Sequence, residues 1–308
     1  MATIQQQNQD QLDLQSVTSA PEFEIITTMC YSRALPANPF SPSATDDTDG
    51  ASQSTPEIAA CYLLSFGLDR LRAAASALSW PDALATLSGP NRLYTVASEI
   101  DEHIRTTHND KNLDVAQRFI VRLALRHSGT MTIHSGLRPT TSALYFPTTL
   151  PPPSSHTTSS TDIPTVTLYM DPGFTPKSPL TTHKTTYRDD YNAARRRAGL
   201  DESTPFTQGE VLLTNEEGEV MGGCFSTVYF WRVREERWVT PRAESGCKVG
   251  VSRRWAIEYA GVEERVARRE DLGQQEVQVV WLSSAVAGFC WGILTRKKYK
   301  AKESNTSV

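Results

Sequence analysis

A stretch from Thr148 to Pro164, holding Pro151-Pro152-Pro153 and a Ser/Thr tract, interrupts the 308-residue chain near its midpoint. A segment of this kind has too little apolar surface to offset the entropy of ordering it. The chain is therefore expected to fold as one part before the stretch and one after it. A second such stretch, Pro36 to Pro56, interrupts the first part. The expected organisation is a smaller N-terminal α+β domain over 1–140, with disordered residues 1–16 and an exposed loop at 36–56. A Pro/Ser/Thr-rich linker follows at 141–164, then a larger C-terminal domain over 165–296 and a basic tail at 297–308.

Charge and residue usage narrow the function classes. Thirty-one Lys and Arg against thirty-five Asp and Glu leave a net charge of −4, too balanced for the basic footprint that nucleic-acid binding requires. The longest apolar stretch, Val277 to Leu294, is broken by Gln278, Ser283, Ser284 and two glycines, and the Gln-rich start has no apolar core. Neither a membrane span nor a signal peptide is expected. Five scattered cysteines without a C-x-x-C pair suggest reduced thiols in a cytoplasmic protein. The six histidines form no H-E-x-x-H, so no metal site is expected. A small-molecule partner remains.

Periodicity places the elements. Leu68, Leu71, Ala75 and Leu78 recur at helical spacing, predicting an amphipathic helix over about Gly67 to Ser79. Ile120 to Arg126 alternates and turns at Ser128-Gly129 into Met131 to His134, a hairpin signal. Val166 to Met170 reads as a strand and Asp189 to Ala198 as a helix. Asn215 to Gly218 reads as a turn between strands Glu210 to Thr214 and Glu219 to Met221. Ser226 to Val233 pairs with Trp238 to Thr240, and Gly250-Val251-Ser252 opens a helix with Ser252 as candidate N-cap. Such a helix start offers backbone N–H groups and a favourable dipole end to an anion.

Lys184 stands in His183-Lys-Thr-Thr-Tyr187. A hairpin follows, then Thr240-Pro241, then Gly246-x-x-x-Gly250-Val-Ser-Arg253. That order resembles the class IV (fold-type IV) pyridoxal-phosphate enzymes, which include branched-chain and D-amino-acid aminotransferases and 4-amino-4-deoxychorismate lyase. The phrasing Lys184-Thr-Thr-Tyr-Arg-x-x-Tyr191, Gly218-Glu-Val220, Val228-Tyr-Phe230, Trp238-x-Thr-Pro241 and Arg253-Arg-Trp255 is most similar to the fungal-type lyase-like branch. The match runs over roughly residues 20–36, 57–140 and 165–294.

The resemblance implies an α+β chain of two α/β domains with the active site at their interface, pyridoxal 5'-phosphate as cofactor, and a homodimer. It implies that Lys184 forms the Schiff base and then moves the substrate proton. Arg70, in Leu68-Asp69-Arg70-Leu71, would grip the phosphate in bidentate fashion. Val251 and Ser252 would form the phosphate loop, with Ser284 of Ser283-Ser284 as a further phosphate-side contact. Tyr187 or Tyr191 would bond the pyridine hydroxyl. The implied reaction is carbon–oxygen lysis of an amino-deoxy substrate, releasing pyruvate and 4-aminobenzoate, with Thr27 or Thr28 as proton donor and Thr28 the preferred candidate. The alternatives are an amino-acid aminotransferase of the same fold and a member that has abandoned pyridoxal chemistry.

Four positions depart from the family pattern. Gly222 occupies the place of the acid that holds the ring nitrogen protonated, and Thr227 that of an Asn. Cys30 and Ala287 stand where relatives carry Arg. Three accounts stay open: an altered reaction with weaker electron withdrawal, a pocket without its cofactor, or a register one residue off that leaves Glu219 to serve.

Overall fold

The computed structural model describes residues 14–35, 56–108, 116–138, 145–158, 163–272 and 277–295. The chain forms two compact units, Met1–Ser142 with His183–Tyr187, and Ala143–Thr182 with Arg188–Val308.

In the first unit, β1 (Ile25–Tyr31) is buried along its whole length. Four helices follow: α1 (Pro56–Ala60), α2 (Leu64–Ala77), α3 (Pro81–Thr86) and α4 (Arg92–Thr107). Helix α2 buries Leu64, Leu68, Leu71 and Ala75 on one stripe, as the spacing predicts. It begins earlier than Gly67, because Leu63 at φ 54 turns the chain into it. The alternating run and Ser128-Gly129 form the expected hairpin of β2 (Arg118–Leu125) and β3 (Met131–Arg138), closed by Arg126 N–H on the Thr130 carbonyl at 3.1 Å. The sheet order is β1-β2-β3, all antiparallel.

The segment His183–Tyr187 lies along the other edge of β1. Ile26 N–H donates to the Lys184 carbonyl and Thr186 N–H to the Glu24 carbonyl, each at 2.9 Å, and Thr185 bridges Ile25 antiparallel. Lys184, expected on the C-terminal domain, therefore belongs to the first unit. The reason is backbone satisfaction: an edge strand buried like β1 must pair its outward N–H and C=O groups.

The second unit holds α5 (Ser155–Thr158), β4 (Thr165–Met170), α6 (Pro179–Thr182), α7 (Asp189–Arg197), β5 (Glu210–Thr214), β6 (Val220–Gly223), β7 (Thr227–Arg232) and β8 (Arg237–Pro241). It continues with α8 (Val251–Tyr259), β9 (Glu263–Arg265), β10 (Val277–Ser284) and β11 (Gly288–Thr295). The strands form one mixed sheet in the order β6-β5-β4-β11-β10-β7-β8-β9. Val166, Leu168, Leu212, Val228, Val280 and Leu282 pack together in its core. The broken apolar stretch from Val277 is the β10–β11 hairpin.

The described part of the expected linker is tied into this unit. The Trp238 indole donates to the Leu150 carbonyl at 3.2 Å and the Trp281 indole to the Pro151 carbonyl at 3.1 Å, while Tyr145 stacks on Trp281. A proline-rich backbone cannot donate, but its carbonyls can accept. Helix α8 starts at Val251 with Gly250 as its N-cap in extended conformation (φ −82, ψ 147), so Ser252 sits within the first turn and is not the cap. Residues 1–13, 36–55 and the tail at 297–308 lie outside the described residues. Among those described, no helix is long and apolar enough to cross a membrane.

Candidate functional site

The sequence-predicted residues fall into two groups, one in each unit. In the first unit the two-residue period of β1 puts Ile26, Thr28 and Cys30 on one face and Thr27 and Met29 on the other. Lys184 Nζ donates to Thr28 Oγ1 at 2.5 Å. Of the two candidate threonines, Thr28 is thus the one that meets the lysine. Thr27 faces Gly67 of α2, and its hydroxyl is buried without a hydrogen-bond partner. Arg70, half-buried on α2, lies near His183, whose imidazole is held below its ordinary range by burial first and then by the Arg70 charge. Tyr187 is half-buried in the same segment, its N–H donating to Thr185 Oγ1 at 3.2 Å.

Sequence reasoning missed the arginines of this sheet. Strand register places Arg122 beside Thr28, and Arg118 beside Arg138, with even-numbered β2 residues on the face that carries Thr28 and Cys30. The signal was present in the alternation Arg118-x-Ile120-x-Arg122, but which face β1 turns to it was not. Cys30, where relatives carry Arg, is fully buried, and burial pushes its thiol up to about 11 against the pull of Arg138 and Arg118. It is a neutral residue on a basic face.

In the second unit, the start of α8 turns the N–H groups of its first residues out of the helix. Ser252 beside them is 2% exposed, and its hydroxyl has no hydrogen-bond partner. Its carbonyl accepts from Tyr229 OH at 3.4 Å, and Tyr229 in turn bonds Ser283 Oγ at 2.7 Å. Ser284, expected near the phosphate, closes the β10–β11 turn, its hydroxyl accepting from Ala287 N–H at 3.0 Å and keeping its own O–H to donate. Tyr191 is buried and donates to the Thr181 carbonyl at 3.0 Å.

The acid position differs most from expectation. Gly222 adopts φ +122, a region that residues with a side chain rarely enter. At Gly223 a Cβ would stand 2.6 Å from Ser226 Oγ and 2.7 Å from Glu210 Oε2. Glu210 is fully buried, and its carboxylate accepts from Val211 N–H (2.8 Å), Phe225 N–H (3.0 Å) and Ser226 Oγ (2.8 Å). Burial still pushes its pKa upward, though these hydrogen bonds oppose the rise. Glu219, the substitute under a shifted register, is ion-paired to Arg242 at 2.8 Å. A small cleft runs past Gly222 and Gly223, lined also by Tyr191, Thr227, Lys248 and Arg253.

The family model described as amino-transferase class IV matches residues 61–291. No curated protein matches the chain. Among solved structures, the chain is similar to a candidate amino-acid aminotransferase from Mesorhizobium loti, at 20% identity and TM-score 0.56, over 89% of this chain and 100% of that one. It is similar to a candidate 4-amino-4-deoxychorismate lyase from Legionella pneumophila, at 12% identity and TM-score 0.54, over 91% and 87%. A third is the PLP-bound form of a hypothetical aminotransferase from Mycobacterium tuberculosis, at 15% identity and TM-score 0.51, over 92% and 86%. These likenesses establish the fold as that of fold-type IV aminotransferases.

Proposed function

The chain belongs to the class IV aminotransferases, a family of pyridoxal-phosphate enzymes, and from that premise we propose that it binds this cofactor and acts as a carbon–oxygen lyase of the 4-amino-4-deoxychorismate lyase type. Two observations support a fit to the cofactor: the Lys184 amine held on Thr28, and the buried Ser252 hydroxyl without a partner at a helix start. Lys184 would take the aldehyde, and Arg70, Val251 and Ser252 the phosphate. When bound, pyridoxal phosphate supplies an aldehyde for Schiff-base formation and a ring that draws electrons from the reacting carbon.

The observation that carries the lyase reading is the Lys184–Thr28 hydrogen bond. Thr28 Oγ1 accepts the lysine's hydrogen, which leaves its own O–H to donate elsewhere. Elimination needs both halves of that arrangement. An amine takes the proton from the substrate C–H bond, and a hydroxyl delivers one to the oxygen that departs as the C–O bond breaks. Arg118, Arg122 and Arg138 on the same sheet face suit a substrate bearing carboxylates.

Purified protein mixed with pyridoxal phosphate should show a visible absorbance band that Lys184→Ala abolishes. With 4-amino-4-deoxychorismate it should release 4-aminobenzoate and pyruvate in equal amounts. A band without these products, together with amino-group exchange between amino acids and keto acids, would move the reading to an aminotransferase. No band at saturating cofactor would refute pyridoxal chemistry altogether.

A further inference from the structure

Two imidazoles of the first unit meet on one hydroxyl. His103 in α4, and His108 just past the end of that helix, bring their Nε2 atoms to Ser135 Oγ on β3 at 3.0 and 2.8 Å. All three side chains are half-buried. The His108 ring packs on the Phe119 ring of β2 with centroids 4.7 Å apart, and its backbone N–H donates to the Ile104 carbonyl at 3.1 Å. The end of α4 is thereby fixed to the sheet through side chains at two of its turns.

A hydroxyl has one hydrogen to give and two lone pairs to receive with. With both rings neutral, one Nε2–H donates to Ser135 and the other Nε2, bare, accepts from it. The two rings must therefore be opposite tautomers. A proton added to the accepting ring gives its Nε2 a hydrogen, so the serine loses its acceptor and faces two N–H donors. A second proton would set two cations no further apart than two hydrogen bonds end to end.

The charges around the contact do not offset such a proton. The acids of α4 are engaged: Glu99 with Arg92, Asp101 with Tyr31, Arg33 and Arg105, and Glu102 with Arg105. Glu57, in the first turn of α1 beside α4, is not among the charges that act on His103. Strand alternation sets His134, Arg118, Arg122 and Arg138 on the face of the sheet opposite Ser135. Burial first, then the charges of His108 and His134, hold the His103 imidazole below its ordinary range.

We infer that His103, Ser135 and His108 form a pH-sensitive clasp, which holds the end of α4 on β3 while both rings are neutral and releases it when the accepting ring gains a proton. The clasp lies within one unit and is independent of the pyridoxal reading. The closed form takes up a proton less readily than the open one, so acid favours opening. Closure is complete above about pH 6.5 and is lost as the pH falls below it.

The test uses the full chain. Long-range 1H–15N NMR at about pH 8 should show one of the two rings carrying its hydrogen on Nε2 and the other on Nδ1. Hydrogen–deuterium exchange of the Ile104–His108 amides, corrected for the intrinsic effect of pH, should be at least about ten-fold faster at about pH 5.5 than at about pH 7.5. The β10–β11 hairpin should show no such acceleration. In Ser135→Ala and in His108→Gln, whose amide cannot take up the proton, the ratio should fall toward one. The inference is overturned by the same tautomer in both rings, by an undiminished ratio in either variant, or by equal acceleration in β10–β11.

Discussion

The edge of β1 and the corner after β6 are built to opposite rules. At the β1 edge, residues far apart in sequence converge on one polar contact, Lys184 with Thr28, held by backbone pairing on both sides. At the β6 corner there is no side chain at Gly222 or Gly223, and left-handed backbone at the first and the packed Glu210 and Ser226 side chains at the second keep it so. The first region carries the lysine and threonine that the family pattern leads one to expect, and the second has glycine where that pattern has an acid. Each region is fixed by backbone of its own unit, the first by pairing along a strand edge and the second by turn conformation and packing.

Experiments that break or sharpen this contrast differ in expected size. Lys184→Ala should produce the largest effect, a loss of product formation of about 10²–10⁴-fold measured in steady state, together with loss of the visible band. A variant that kept both would place the amine elsewhere. Thr28→Val should lower kcat by about 10–100-fold with a smaller change in KM, and Thr28→Ser should recover most of it. Equal behaviour of Val and Ser would show that the hydroxyl plays no part in the reaction. At the other corner, Gly222→Glu should reduce stability by about 1–3 kcal/mol in urea unfolding, with no gain in rate. A stable, faster variant would mean that the corner tolerates the acid after all.

Smaller effects follow. Ser252→Ala should weaken cofactor binding by about 0.5–1.5 kcal/mol, read by fluorescence titration. An unchanged affinity would remove Ser252 from the phosphate group. The least effect concerns His183. Its imidazole is held below the ordinary value of 6.5 in the folded chain, so the unfolded chain takes up a proton first as the pH falls. Its contribution is full above about pH 6.5 and declines below it. His183→Gln should flatten the fall in stability over that acidic range, and an unaltered profile would refute the assignment.

Much of the framework was legible in the residues. Two-residue alternation gave the β2–β3 hairpin, and Gly250-Val-Ser gave the start of α8, because both signals are local. What could not be read depended on long-range pairing. Nothing near Lys184 announces that its backbone adds to β1, more than 150 residues earlier. The Pro-rich stretch looked solvated because its partners, the indoles of Trp238 and Trp281, are far along the chain. At Gly222 the missing acid was visible, whereas the positive φ that excludes its return was not.

The connectivity of the two units has a consequence for gene architecture. The polypeptide passes from one unit to the other after Ser142, returns at His183 and leaves again after Tyr187. No single cut can yield one unit whole and the other whole. A fragment ending near residue 142 would carry Thr28 and lose Lys184, so fission or domain shuffling at the evident midpoint would separate the two partners of one hydrogen bond.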